Sequence, residues 1–101
     1  MNLVELSRTK GFMSHDKLHT VYDWYYPMWM CELQRWLREN YRIESNIIFV
    51  KKHSVYIPFV WDIINDDEPK RLNGTNGVAL KYGTYEEALE KCLIESLKLM
   101  P

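Results

Sequence analysis

Between positions 55 and 64 every odd residue is apolar: Val55, Ile57, Phe59, Trp61 and Ile63. Side chains alternate across a strand, so this row shares one face and predicts a β-strand with one buried side. Pro58 sits inside the run and cannot donate to a ladder. Either that strand lies at a sheet edge or the chain bulges at Pro58. Upstream, Ile43, Ile47, Ile48, Phe49 and Val50 form another β-branched and aromatic run, set off by Lys51-Lys52-His53-Ser54. Downstream, residues 65–77 carry Pro69, Gly74 and Gly77 and read as an exposed loop. A short third strand is expected over 78–82.

Both flanks follow a different period. Asn2 and Glu5 have the chemistry of a capping box, and Gly11 supplies the left-handed residue that commonly ends a helix. A short helix over 3–10 follows, with Leu3 and Leu6 inward and Phe12 folding back on it. Residues 14–26 are rich in His, Asp and aromatics without a clean period. From Pro27, which suits a first helical turn, Met30, Leu33 and Leu37 recur with Trp29 and Trp36 at three- and four-residue spacing. Gln34, Arg35, Arg38 and Glu39 fill the other side, so an amphipathic helix ends near Asn40.

The last helix has the clearest local signature. Thr84 can cap the Glu87 amide, and Gly83 releases the chain just before it. Leu89, Cys92, Leu93, Ser96 and Met100 then line one face to about Met100, and Glu87 stands four residues before Lys91, a favourable pairing. The order is helix, helix, three strands, helix. Short turns make consecutive strands antiparallel, and the two longer helices cover one face. The expected fold class is α+β: a two-layer sandwich, with a three-stranded antiparallel sheet and helices on one face, in α-α-β-β-β-α order.

The chain has 101 residues, in the range of a single domain spanning 1–101. A chain of that length buries only about two-thirds of its unfolded surface and holds one core. Four Trp, seven Tyr and three Phe can dominate that core. The formal net charge of −1 lacks the basic excess typical of phosphate binding. No apolar run approaches the roughly 18 residues of a membrane span. Glu5 stands where a secretory leader carries basic residues, and Cys31 and Cys92 are isolated, so a cytoplasmic setting with reduced thiols is expected.

Two resemblances add to this. The helix, three-stranded meander and closing helix resemble the topology of the double-stranded RNA-binding domain. That family places a basic cluster at the start of its last helix, where this chain has Glu86 and Glu87, two carboxylates that would repel phosphate. The resemblance implies the architecture and not the activity. The segments Trp36-Leu37-Arg38-Glu39 and Thr84-Tyr85-Glu86-Glu87-Ala88-Leu89-Glu90, with the Leu97-Lys98-Leu99 ending, resemble a group of short proteins of Bacteroides-type gut bacteria and their phages or mobile elements. The opening Leu3-Val4-Glu5-Leu6 and Lys10-Gly11-Phe12 share that likeness, which implies a cytosolic, phage- or element-borne origin and no particular activity.

Candidate sites are few. His15 and His19, with Asp16 and Asp23, could form a metal face on a helix, but no further ligand completes a set. Cys31 lacks a base beside it, and Cys92 on an apolar helix face reads as a small core residue. Asp62, Asp66, Asp67 and Glu68 lack the alternating spacing of a calcium loop. No catalytic residue, metal, cofactor or small-molecule substrate is expected.

The aromatic cluster Trp24, Tyr25, Tyr26 and Trp29 is more open. Adjacent helical residues point about 100° apart, so the four cannot all enter one core. They either close the core or present a contact surface for a protein partner. Ile94, among Glu87, Glu90, Lys91 and Lys98, could mark self-association. Arg35, Arg38 and Arg42 form a row, with Lys51 and Lys52 beyond, that is either a solvated face or a basic patch. The expected function is a non-enzymatic protein-interaction domain, with homodimerisation as one form of it. The alternative is a nucleic-acid accessory protein using the Arg35, Arg38, Arg42, Lys51 and Lys52 set.

Overall fold

In the computed structural model, the described residues are 2–12, 26–74, 77–78 and 80–100. They form α1 (Leu3–Thr9), α2 (Tyr26–Tyr41), β1 (Ile43–Val50), β2 (Val55–Asp62), β3 (Lys70–Arg71) and α3 (Tyr85–Lys98). The strands make one antiparallel sheet in the order β1-β2-β3. Helix α3 packs across β1 and β2, α2 packs on α3 and β1, and α1 packs on α3. This is the α+β arrangement, and the α-α-β-β-β-α order, that the periodicities predict.

Helix ends follow their local chemistry. The Asn2 side chain accepts from the Glu5 amide at 2.9 Å, and the Thr84 hydroxyl accepts from the Glu87 amide at 3.2 Å. After α1, Gly11 takes φ +96°, so that its own amide reaches the Arg8 carbonyl and the Phe12 amide reaches the Ser7 carbonyl. That pattern is a Schellman closure. It turns Phe12 back onto the indoles of Trp29 and Trp36, with ring centroids 5.8 and 5.3 Å away. Met30, Leu33 and Leu37 of α2 then meet Leu89, Leu93 and Leu97 of α3 in a core closed to solvent.

The sheet departs from expectation in three ways. Pro58 lies in the central strand, neither at an edge nor at a bulge, because β1 and β2 pair without interruption from Ile43–Asp62 to Val50–Val55. Both backbone groups of Tyr56 bond Tyr82, and the Pro58 carbonyl accepts from Leu72. Even-numbered positions of β2 therefore turn their amides away from β1, and the proline nitrogen removes no bond from that ladder.

The missing proline N–H leaves the Leu72 carbonyl without a donor on β2, and Leu72 instead accepts from the Leu80 amide at 3.0 Å. This is the second departure. The third strand is Lys70–Arg71, inside the segment read as loop; from the stretch expected as a strand, Val78 accepts from the Gly74 amide and Leu80 donates to Leu72, and Tyr82 rejoins β2 opposite Tyr56.

The third departure is the face. Ile43, Ser45 and Ile47 pair across from Asp62, Val60 and Pro58. Ile43 and Val60 belong to the core that the helices cover, and Ile47 packs against it. The odd row of β2 must then point the other way.

Candidate contact surface on the outer sheet face

Val55, Ile57, Phe59 and Trp61 share their face with Val50, Ile48, Asn46 and Glu44, their register partners on β1. The six apolar side chains are absent from the helix-covered core, and no described helix packs over them. Ile48 is half exposed and the others are partly exposed. Trp61 is held in place at one end, its indole N–H donating to the Asp66 carbonyl at 3.0 Å. Arg71 stands opposite Phe59 on the next strand. Beside them, Glu68, Pro69, Lys70 and Asn73 complete the lining of an open depression. The surface is thus an apolar centre with a mixed-charge rim.

The alternation rule identified this row but not its destination. Tyr56, Pro58 and Val60 between the odd positions are apolar as well. A strand apolar on both faces is the signal that its second face also has an apolar use.

The aromatic cluster divides. Trp24 and Tyr25 lie outside the described residues, as do His15, Asp16, His19 and Asp23. Trp29 is 3% exposed, so its ring serves the core. Tyr26 stacks on it at 5.7 Å. Burial, then the charge of Glu90 and a hydrogen bond to its carboxylate, raises the Tyr26 phenol well above its ordinary pKa. Ile94 is half-buried against the core rather than standing alone among charges. Its neighbour Lys91 pairs with Glu95 at 3.0 Å, in place of the expected Glu87.

The basic residues do not gather. Arg35 and Arg38 are exposed on the second half of α2 and Arg42 just beyond it, and Arg38 approaches Glu44 at 3.8 Å. Lys51 and Lys52 occupy the turn at the opposite end of β1. The strand of eight residues between Arg42 and Lys51 spans roughly 26 Å at the usual rise. The five residues therefore form two separate groups.

Cys31 is exposed and Cys92 is buried. Burial pushes the Cys92 thiol up to about 12, outweighing the hydrogen bonding with the Ser45 side chain and the Asn46 and Phe59 backbone that acts the other way. Its Sγ donates to the Phe59 carbonyl at 3.0 Å. A thiol so held is a structural donor at neutral pH and no nucleophile. In the acidic loop, Asp66 pairs with Lys70 at 3.0 Å and Asp62 bonds the Asn65 side chain at 2.7 Å. Among the described residues no three His, Cys, Asp or Glu side chains converge as a metal site. No described helix is long and apolar enough to cross a membrane.

Comparison with protein-family models, curated proteins and solved structures gave no match.

Proposed function

We propose that this chain is a non-enzymatic protein-interaction domain and that it binds through the outer face of its sheet. The observation that carries the reading is the continuous apolar group Ile48, Val50, Val55, Ile57, Phe59 and Trp61, on the sheet side opposite the helices. A partly exposed Trp and Phe at the centre of a patch with a polar rim have the composition of interaction hot spots. The surface proposed is the sheet and not the 24–29 aromatic segment, since Trp29 is buried in the core and Tyr26 is half-buried against it, while Trp24 and Tyr25 lie outside the described residues.

A photo-crosslinking amino acid at Ile57 tests this in the cell of origin, with the same group at exposed Arg35 as the control. The expected outcome is a discrete protein adduct at 57, absent at 35 and insensitive to salt during capture. Equal labelling at the two positions, or none at 57, overturns the reading. Retention on nucleic acid that weakens steeply with salt and is lost in Arg35→Ala plus Arg38→Ala would replace it.

A further inference from the structure

We propose that a second copy of this chain adds to the edge of β1, antiparallel, about a two-fold axis at Ile48, making one six-stranded sheet. The proposal goes beyond the contact reading and stands independently of it, because it uses the sheet's edge rather than its outer face.

The register follows from the backbone. Since even positions of β2 turn away from β1, the odd positions of β1 that pair with them, Ser45, Ile47 and Phe49, turn their N–H and C=O groups to the open edge. Ser45 confirms this parity: its carbonyl accepts from the Gln34 side-chain amide of α2 at 2.6 Å. Gln34 thereby closes the edge at Ser45. Among the described residues nothing takes the edge-facing groups of Ile47 or Phe49. Both Ile48 and Phe49 are 50% exposed at this end of the strand.

Edge strands usually carry a charge, a proline or a bulge that discourages pairing. Between Glu44 and Lys51, β1 has none of these. An added antiparallel strand must match odd positions to odd positions. A register centred on Ile47 would set Ser45 opposite Phe49 and needs the carbonyl that Gln34 already holds. A register centred on Phe49 sets Ile47 opposite Lys51, already in the turn, and leaves the Ile47 backbone groups unpaired. Centred on Ile48, the two copies place Ile47 opposite Phe49 in two hydrogen-bonded pairs and Ile48 against Ile48, and the turn of each copy, with Lys51 and Lys52, comes toward Glu44 of the other. This arrangement alone joins the edge-facing groups of Ile47 and Phe49, sets the exposed Ile48 side chains together and brings opposite charges near one another. The contact is small, so the dimer is a reversible one.

Disulfide trapping in the full chain reads the register directly. In a Cys31→Ser background, Ile48→Cys, Asn46→Cys and Val50→Cys are oxidised mildly and compared. Position 48 forms a non-hydrogen-bonded pair with itself, with Cα atoms about 4.5 Å apart, within disulfide range. Positions 46 and 50 lie four residues from their own copies, about 13 Å along the strand. Ile48→Cys should link at least tenfold faster than the other two.

Light scattering across concentration supplies the second measurement. Glu44→Lys or Lys52→Glu alone should raise the dimer dissociation constant about tenfold, and the two together should restore it. A chain that stays monomeric at every soluble concentration, or that links equally at 46, 48 and 50, overturns the edge dimer. A dimer that fails to link at 48 but dissociates in Ile57→Lys assigns association to the outer face, which removes this inference and leaves the contact reading intact.

Discussion

The hydroxyl of Ser45 on β1 meets the hydroxyl of Ser96 on α3 at 2.9 Å, with both residues closed to solvent. Ser96 spends its proton on the Cys92 carbonyl at 2.8 Å, so Ser45 is the donor between them. Gln34 holds the Ser45 carbonyl from α2, and the Cys92 thiol reaches the Phe59 carbonyl on β2. A handful of polar atoms thus ties two helices to two strands in an otherwise apolar layer. Burial makes these bonds selective, because any register that left them unpaired would strand a polar group away from water.

Removing one hydroxyl should cost more than removing both in turn would suggest. Ser96→Ala leaves the buried Ser45 donor unpaired and is expected to lower stability by about 1–2 kcal/mol. In a double-mutant cycle with Ser45→Ala, urea unfolding should give a coupling of about 1 kcal/mol. Strict additivity would mean that the hydroxyls do not act on one another.

The two thiols should differ sharply in reactivity. Cys31 is exposed, whereas Cys92 is buried with its thiol pushed up to about 12. A thiol reagent at neutral pH should modify Cys31 in the native protein, and Cys92 only after denaturant is added. Comparable native rates for the two would contradict the assignment of Cys92 to the core.

Two turn positions should respond in opposite directions. Ser54 holds φ +52° in the exposed turn before β2, a conformation that costs a non-glycine residue roughly 1 kcal/mol. Ser54→Gly should therefore raise stability by about 0.5 kcal/mol, since glycine's greater unfolded-state freedom offsets part of the relief. Gly11 has open space where a Cβ would stand, so Gly11→Ala carries only the backbone cost of φ +96° and should lose about 1 kcal/mol. Thermal unfolding of the two variants checks both signs.

Glu95 makes stability depend on acid. Partial burial would push its carboxyl up, but hydrogen bonds and charge from Lys91 and Lys98, at 3.0 and 3.2 Å, outweigh it and hold the group below its ordinary range. A pKa lower in the folded than in the unfolded chain stabilises above the unfolded value, and that contribution disappears as pH falls through the folded value. Glu95→Gln should cost about 0.5 kcal/mol near pH 7, with screening by solvent keeping the figure small. Urea melts repeated in acid should show the gap between wild type and variant closing.

Local chemistry determined much of this protein. The caps at Asn2 and Thr84 and the closure at Gly11 act within a few residues, and the inward faces of α2 and α3 follow from spacing alone, since positions three and four apart share a helix face. Those features were legible because their partners are near in the chain. The sheet was legible only as strands. Alternation could not say which face of β2 the helices would take, because Tyr56, Pro58 and Val60 are as apolar as the odd row beside them. Packing decided it, when Ile43, Ile47 and Val60 met α2 and α3 and turned Ile57, Phe59 and Trp61 outward. Strand order likewise decided Pro58. Its place in the central strand is tolerated because its nitrogen faces the side where Leu72 turns to Leu80, a pairing between distant segments that no local pattern announces.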